Sequence, residues 1–218
     1  PITVPNRDTW VAERARIVEH ARARVMAATT VGRVHEPEPP ETPPWQRGRA
    51  GTAVGRAVHA VLQSVDLATG EGVESLAAAQ ADAEGVPDRR SDITRAVRAA
   101  LGSDAVRAAV ASKRFWREVY VGAEVNGVVL EGFIDLLFER QDGLVVVDYK
   151  TDRVDGAAGV SDHYRLQAGA YAAALGETLG QKVAACTFVF VGSGTAVEID
   201  IPDLPAAVRD VHAALEDW

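Results

Sequence analysis

The feature that most constrains the fold is a pair of β-rich runs with only two residues between them. These runs are Phe115–Val125 and Val128–Glu139, and Asn126-Gly127 joins them. A type I′ turn favours Asn-Gly because both of its central residues take a positive φ. The sequence therefore predicts a long antiparallel hairpin. A third strand is predicted over Leu144–Thr151, after a Gln-Asp-Gly turn, and we expect it to lie beside the hairpin.

Helical and extended patterns surround the hairpin. Helices are predicted over Asp8–Ala28, Gly51–Leu67, Ser75–Ala83, Ser91–Leu101, Ser103–Ala111, Asp162–Leu179 and Pro205–Leu215, with Ser91 and Ser103 as N-caps, and further strands over Val183–Val191 and Ala196–Ile201. Residues 36–46 contain five prolines, so they are predicted to form an extended strap. Helices followed by a β-β-β-α-β order predict an α/β core with a helical front end.

Composition excludes several classes of protein. Cys186 is the one cysteine of 218 residues, which excludes an internal disulfide and a cysteine-rich zinc or iron–sulfur site. No apolar run reaches the roughly 18–20 residues that a membrane helix needs, so no membrane partner is expected. The chain begins at Pro1 rather than Met, which suggests a piece of a longer protein.

The charge is unevenly distributed along the chain. The net charge is −8, but residues 198–218 hold six acids and one base, which leaves 22 bases and 25 acids in the other 197 residues. A uniformly basic nucleic-acid-binding coat is therefore excluded. A local basic groove remains open, because residues 45–65 carry Arg47, Arg49 and Arg56 and no acid.

Two strands carry unusual charged residues. In VVDYKTD, Asp148 and Lys150 follow an apolar run and point to the same strand face. This pattern indicates either a site at the strand end or a surface ion pair. Asp135 lies within an apolar strand, where a carboxylate needs a cation, a metal or several donors. Carboxylates on adjacent strands can share a divalent ion, with Lys150 beside them.

Two helical motifs are weaker signals on their own. His59 flanks the apolar stripe of its predicted helix, and a structural histidine is the more common explanation of such a position. Gln167 and Tyr171 share a helix face, which by itself indicates a partly exposed surface.

Together the four motifs resemble the RecB-family nuclease domain of the PD-(D/E)XK superfamily. The matching segments are GRAVHAVL around His59, EGFIDLL around Asp135, DYKTD at 148–152 and QAGAY at 167–171, over roughly residues 48–192. The resemblance implies a restriction-endonuclease-like α/β core, with a mixed sheet of about four to five strands flanked by helices. We predict a nuclease domain over 48–218. The N-terminal helix and Pro-rich strap over 1–47 are not assigned to the family and are predicted to form a tether to a helicase body.

The resemblance also implies roles for individual residues. His59, Asp135, Asp148 and the Tyr149 carbonyl would ligate Mg²⁺ or Mn²⁺, and Asp135, Asp148 and Lys150 would be catalytic, with Gln167 and Tyr171 lining the site and Glu118 a further candidate. Relatives with an iron–sulfur cluster use four cysteines, so no such cluster is expected here. Because Lys150 lies between acids, we expect it to stay protonated and to act electrostatically rather than as a general base.

The implied function is a Mg²⁺- or Mn²⁺-dependent deoxyribonuclease, an exonuclease with endonuclease capacity on single strands. It would be the C-terminal module of a cytoplasmic helicase–nuclease that processes double-strand breaks for recombinational repair. Its partners would be single-stranded or unwound DNA ends, a helicase domain of the same longer chain and a partner subunit. Two alternatives stay open: a catalytically silent DNA-binding or docking module, and an RNase or structure-specific endonuclease. The presence of Asp135, Asp148 and Lys150 disfavours a silent module.

Overall fold

A computed structural model of the chain describes residues 11–12, 14, 24–33, 52–152 and 161–216. Its strands are β1 (Arg24–Ala27), β2 (Phe115–Val125), β3 (Val128–Arg140), β4 (Gly143–Lys150), β5 (Val183–Phe190) and β6 (Val197–Asp200). Its α-helices are α1 (Ala53–Ser64), α2 (Val73–Ala83), α3 (Arg90–Leu101), α4 (Asp104–Ser112), α5 (Asp162–Leu179) and α6 (Leu204–Glu216), with 3₁₀ turns at Ala28–Arg33 and Pro87–Arg89. No described helix has the length and apolarity needed to cross a membrane.

The six strands form one mixed sheet in the order β1-β3-β4-β5-β6, with β2 paired to β3. The predicted hairpin is confirmed, since β2 and β3 pair antiparallel from Val125↔Val128 outward. Asn126 and Gly127 take positive φ values of 52° and 75°, as a type I′ turn requires. α5 connects β4 to the parallel strand β5. The mixed sheet flanked by helices is therefore confirmed.

Two hydrophobic cores cover the two faces of the sheet. The alternation of β4 divides its side chains between them, because successive residues of a strand point to opposite faces. Val145, Val147 and Tyr149 pack with helices α1–α4. Leu144 and Val146 pack with α5, α6 and the 3₁₀ turn at Ala28–Arg33. We call these the α1–α4 core and the α5–α6 core.

The hairpin changes faces halfway along its length. On β2, Phe115 packs with the α1–α4 core, whereas Val119 packs with the α5–α6 core. Both positions are odd-numbered, so the alternation is inverted between them. Glu118 lies at this point with a left-handed φ of 50°, a conformation that is costly for a residue with a Cβ. On β3 the same inversion separates Ile134 from Leu136.

Two predictions about the helices are wrong. The helix predicted over Asp8–Ala28 does not extend through residues 24–28, because Arg24–Ala27 pairs in parallel with Val128–Glu131 and Ala28 begins a 3₁₀ turn. Strand pairing and the burial of Met26 override the helical spacing there. Ser91 is not an N-cap: α3 begins at Arg90 and directly continues the preceding 3₁₀ turn.

Other predictions of local structure are confirmed or lie outside the description. Ser103 caps α4, and its side chain accepts a hydrogen bond from the amide of Val106. Val11, Ala12 and Arg14 are helical, while the remainder of the first predicted helix and the strap at 36–46 lie outside the described residues. The proposed boundary between residues 47 and 48 therefore stays a prediction.

Candidate active site

The site lies where β1 and β4 separate along one edge of β3, a point that we call the fork. β2 covers one edge of β3 along its length, so β1 and β4 share the other edge. β1 pairs with residues 128–131 and β4 with residues 136–140, which leaves 132–135 without a strand partner on this edge within the described chain. A side-chain hydrogen bond replaces strand pairing here, since Asp135 Oδ2 accepts a hydrogen bond from the Tyr149 amide at 2.6 Å. The fork thus holds Asp135 at the end of β4.

Three potential ligands meet on the α1 side of the fork. His59 on α1, Glu118 on β2 and Asp135 on β3 each offer one ligand atom, and these atoms all lie within 4.8 Å of one another. His59 Nδ1 is 3.0 Å from Asp135 Oδ1. Thr52 caps the start of α1 and positions this helix, because its hydroxyl accepts a hydrogen bond from the Gly55 amide at 3.0 Å. We call His59, Glu118 and Asp135 the ligand cluster.

A second group of polar residues surrounds Asp148. Lys150 Nζ lies 2.6 Å from Asp148 Oδ1. On the other oxygen, Asp148 Oδ2 accepts a hydrogen bond from Gln167 Nε2 at 2.9 Å, and the Tyr171 hydroxyl lies 3.3 Å away. Gln167 is fully buried on α5, and its Oε1 has no hydrogen-bond partner among the described residues. Asp148 is therefore held by a cation and an amide from two different elements.

The Tyr171 hydroxyl also provides a hydrogen bond to the unpaired edge of β3. It donates a hydrogen bond to the carbonyl oxygen of Phe133 at 2.9 Å. Gly132 allows this approach, because a Cβ there would lie 3.1 Å from the Tyr171 ring. The fork is thus closed by α5 on one face and by the side chain of Asp135 at the end of β4.

Burial and neighbouring charge shift the pKa values of both groups. Burial lowers the pKa of His59, but attraction to Asp135 and the hydrogen bond between them outweigh it and raise the pKa to about 9. Burial and the nearby Asp135 charge raise the pKa of Glu118. Burial also raises the pKa of Asp148 to about 6, against the opposing charge of Lys150. The carboxylate of Asp148 outweighs burial at Lys150 and raises the lysine pKa, so Lys150 is protonated at neutral pH.

His59 and Asp135 of the ligand cluster line one cleft of about 630 Å³ together with Asp148 and Lys150, and Glu118 lies outside this lining. Its lining includes residues that the sequence analysis predicted for the site: His59, Asp135, Asp148, Tyr149, Lys150 and Tyr171. Asp148 lies outside the ligand cluster, with one oxygen turned toward Lys150. Gln167 lies behind Asp148 rather than in the cleft lining.

Several other residues of the lining were not predicted from the sequence to belong to the site. These are Thr29, Thr52, Gly55, Arg56, Glu84, Phe133, Thr151 and Asp152. Arg56 pairs with Glu84, with Arg56 Nη2 2.7 Å from the carboxylate oxygen Glu84 Oε2. Arg56 was visible in the sequence only as part of a stretch without acids, and Glu84 joins it from the end of α2. No local pattern connects these two positions.

Comparison with known proteins places this arrangement among nucleases. Residues 27–218 match the sequence profile of the PD-(D/E)XK nuclease superfamily. An ATP-dependent helicase/nuclease subunit of Desulforudis audaxviator is 33% identical over 186 residues, which cover 72% of this chain and 15% of that protein. A protein of the same name from Bacillus mycoides is 27% identical over 168 residues, 64% of this chain and 14% of that protein.

A solved structure shares the fold. It belongs to a provisionally named exonuclease from Eubacterium rectale, with a TM-score of 0.53 and 12% sequence identity over 99% of this chain and 85% of that one. The chain therefore spans about one seventh of the length of the curated relatives it matches, but most of the length of this structural neighbour.

Proposed function

This chain belongs to the PD-(D/E)XK nuclease superfamily, and we propose that it is a metal-dependent deoxyribonuclease that hydrolyses phosphodiester bonds in the cleft at the sheet fork. The observation that carries the proposal is the meeting of His59 and Asp135, two members of the ligand cluster, with the Asp148–Lys150 pair in one cleft. Neither group alone would suffice, because a carboxylate cluster is often only a solvated surface and an ion pair only a structural contact.

The residues present suit a hard divalent cation. The ligand cluster supplies two carboxylates and one imidazole, and Asp148 and the Tyr149 carbonyl are further oxygen donors at the end of β4. Carboxylate and carbonyl oxygens suit Mg²⁺ and Mn²⁺, and an imidazole is a further acceptable ligand. When bound, such an ion would supply positive charge near the phosphate and lower the pKa of a water. We propose His59, Asp135, Asp148 and the Tyr149 carbonyl as its ligands, with Glu118 as an additional one.

The other residues would position groups and balance charge. Lys150, held protonated by Asp148, would stabilise negative charge that develops on the phosphate. Gln167 and Tyr171 fix the orientation of Asp148 through the contacts described above. Tyr171 also ties α5 to the fork. Catalytic roles are therefore proposed for Asp135, Asp148 and Lys150, and positioning roles for Gln167 and Tyr171.

The biological setting is a proposal from the relatives. Two matching proteins are named as helicase/nuclease subunits, and this chain corresponds to a small part of each. We propose that it works as the nuclease module of a cytoplasmic helicase–nuclease, in which a helicase domain of the same longer chain and a partner subunit deliver DNA ends for repair. The acidic net charge of −8 supports dependence on such delivery, because an acidic domain binds DNA weakly by itself. Tethering would raise the local DNA concentration.

The test is cleavage of end-labelled linear single- and double-stranded DNA and of circular single-stranded DNA, with Mg²⁺, Mn²⁺ or EDTA. We expect metal-dependent cleavage that disappears in Asp135→Asn, Asp148→Asn and Lys150→Met. Asp142→Asn is the matched control, since Asp142 is an exposed acid paired with Arg140 away from the cleft. Metal-dependent cleavage by Asp148→Asn at the wild-type rate would disprove the proposed site.

Two outcomes would select the alternatives. Cleavage of RNA but not DNA would indicate a ribonuclease on the same fold. Inert wild type, both as this chain and within the full helicase-containing protein, would indicate a silent docking module.

A further inference from the structure

Two aromatic side chains are exposed beside the candidate site. Tyr120 on β2 and Phe133 on β3 are opposite each other in the hairpin register. Their exposed fractions are 56% and 58%, although their rings touch with centroids 5.3 Å apart. Large aromatic side chains normally bury most of their surface, so an exposed pair on a rigid sheet indicates a binding surface.

The aromatic pair adjoins the residues proposed to hold the metal. Phe133 lines the same cleft as Asp135, and the two positions are two residues apart on β3. Tyr120 has the same relation to Glu118 on β2. The change of face lies between Arg117 and Glu118 on β2 and between Asp135 and Leu136 on β3. Regular alternation therefore holds from Glu118 to Tyr120 and from Phe133 to Asp135, and the aromatic pair continues the surface that carries the ligand cluster. The surface is therefore continuous from the carboxylates to the rings.

The backbone and neighbouring side chains hold both rings in place. The Tyr171 hydroxyl donates a hydrogen bond to the carbonyl of Phe133 at 2.9 Å, which fixes the strand below this ring. The Tyr120 hydroxyl donates to Glu131 Oε2 at 3.1 Å. A Cβ at Gly122 would lie 3.0 Å from the Tyr120 hydroxyl, so Gly122 leaves the space into which this side chain leans. Rings that are already positioned lose little conformational freedom when a ligand stacks on them.

On the premise that the cleft binds DNA for hydrolysis, we propose that Tyr120 and Phe133 form a stacking platform for unpaired nucleobases. Every base has a π-face, so an aromatic platform binds single strands with little sequence preference. In a duplex these faces are already occupied by neighbouring base pairs. The platform would therefore favour single-stranded over double-stranded DNA.

The charged groups of the cleft suit this occupant once the proposed metal ion offsets the acids. Arg56 and Lys150 line the same cleft as Phe133, where Arg56 pairs with Glu84 and Lys150 with Asp148. A strand with its bases against Tyr120 and Phe133 can present its phosphates to these cations and to the proposed metal site. The acid Glu131 beside Tyr120 disfavours a phosphate at that end and is compatible with an uncharged base. A nucleotide strand matches both surfaces, whereas an apolar protein segment would leave the charged side of the cleft unmatched.

The decisive test compares two fluorescently labelled oligonucleotides of equal length, an oligothymidylate and an abasic strand. Binding is measured by anisotropy in Ca²⁺ at low salt, and cleavage is measured separately in Mn²⁺. Wild type should bind the oligothymidylate more tightly than the abasic strand. Phe133→Ala and Tyr120→Ala should each weaken binding of the oligothymidylate by about fivefold to a hundredfold, the range for loss of one stacked base, and leave binding of the abasic strand unchanged.

Two further variants make the result specific. Phe133→Leu keeps an apolar side chain without a π-face, and it should behave like Phe133→Ala. Trp116→Ala is the matched control, because Trp116 is 45% exposed on β2 but alternates with Phe115 and Arg117, which face the α1–α4 side. It should bind like wild type. Circular dichroism and thermal unfolding confirm that each variant is folded.

Failure of this proposal and failure of the nuclease assignment are distinguishable. Wild type that cleaves DNA but binds the two oligonucleotides equally would overturn the stacking platform alone. Unchanged binding in Phe133→Ala and Tyr120→Ala would also overturn it, and it would leave a protein-docking surface as the better explanation. Wild type that discriminates the oligonucleotides but cleaves DNA neither as this chain nor within the full helicase-containing protein would refute the proposed nuclease activity and retain the platform.

Discussion

Two buried tyrosines at the site should respond in opposite directions to loss of their hydroxyl groups. Tyr149 is 3% exposed, and its hydroxyl has no hydrogen-bond partner within the described part of the chain. Tyr171 is 1% exposed, and its hydroxyl bridges Gln167 and the Phe133 carbonyl. We predict that Tyr149→Phe raises the free energy of unfolding and that Tyr171→Phe lowers it.

The magnitude follows from the cost of an unpaired buried polar group. A buried group without a hydrogen-bond partner costs about 1–3 kcal/mol, because it loses water and gains nothing in return. Tyr149→Phe removes this cost and keeps the packed ring, so it should stabilise the fold by about 1–3 kcal/mol. Tyr171→Phe leaves the Phe133 carbonyl short of a donor and should destabilise by a similar amount. For a chain of this size the midpoint of thermal unfolding should move by roughly 2–4 °C per kcal/mol.

The assay is chemical and thermal unfolding of wild type and both variants in EDTA, so that metal binding does not contribute. The two substitutions make the same chemical change, which cancels the difference between tyrosine and phenylalanine in the unfolded chain. Shifts of the same sign in both variants would refute the reasoning.

Two further predictions concern packing and pH. On α5, Gly176→Ala should stabilise the fold by about 1 kcal/mol, because a Cβ there meets nothing within 4 Å. Gly169→Ala should destabilise it strongly, because its Cβ would lie 2.5 Å from the Ala207 carbonyl oxygen of α6. Thermal unfolding of the two variants checks both expectations. Because Asp135 raises the pKa of His59 from 6.5 to about 9, the folded protein holds this proton more tightly than the unfolded chain. This stabilisation is fully present below pH 6.5 and is lost as pH rises to about 9. The free energy of unfolding of wild type, measured in EDTA, should therefore fall over this pH range, and that of His59→Asn should fall less. The same proton must leave before a metal binds, so Mn²⁺ affinity measured by calorimetry should increase over the same pH range; a pH-independent affinity would contradict this account.

Much of the sheet could be predicted because its signals are local. Asn126-Gly127 determines the hairpin, and alternating β-branched residues define its strands. β1 could not be predicted in this way, since Arg24–Ala27 is a short segment with helical spacing on its N-terminal side. Only its pairing with β3, about a hundred residues away in sequence, makes it a strand. Ser91 misled for a related reason, because the 3₁₀ turn before α3 already supplies its start.

The site was predictable where charged residues occur in apolar strands, because burying a charge is costly. Asp135 and Asp148 stand out as carboxylates in apolar strands, and Lys150 stands out in a chain with few lysines. Glu118 was only a further candidate, because nothing in its sequence reveals the left-handed φ and the change of face that bring it to His59. Phe133 looked like an ordinary strand residue, and nothing in its sequence indicates that its side chain is exposed. Such features arise from tertiary packing rather than from local pattern.

The change of face at Glu118 and Asp135 also determines how destabilising substitutions should affect the site. Each strand of the hairpin contributes to one core before this point and to the other core after it. The two cores are therefore joined at two residues of the ligand cluster, Glu118 and Asp135, and loosening of either core should disturb them. Core substitutions far from the cleft, in α2 or α6 for example, should impair the proposed cleavage activity before they unfold the protein. Hydrogen exchange of the backbone amides at the fork should then increase when either core is destabilised.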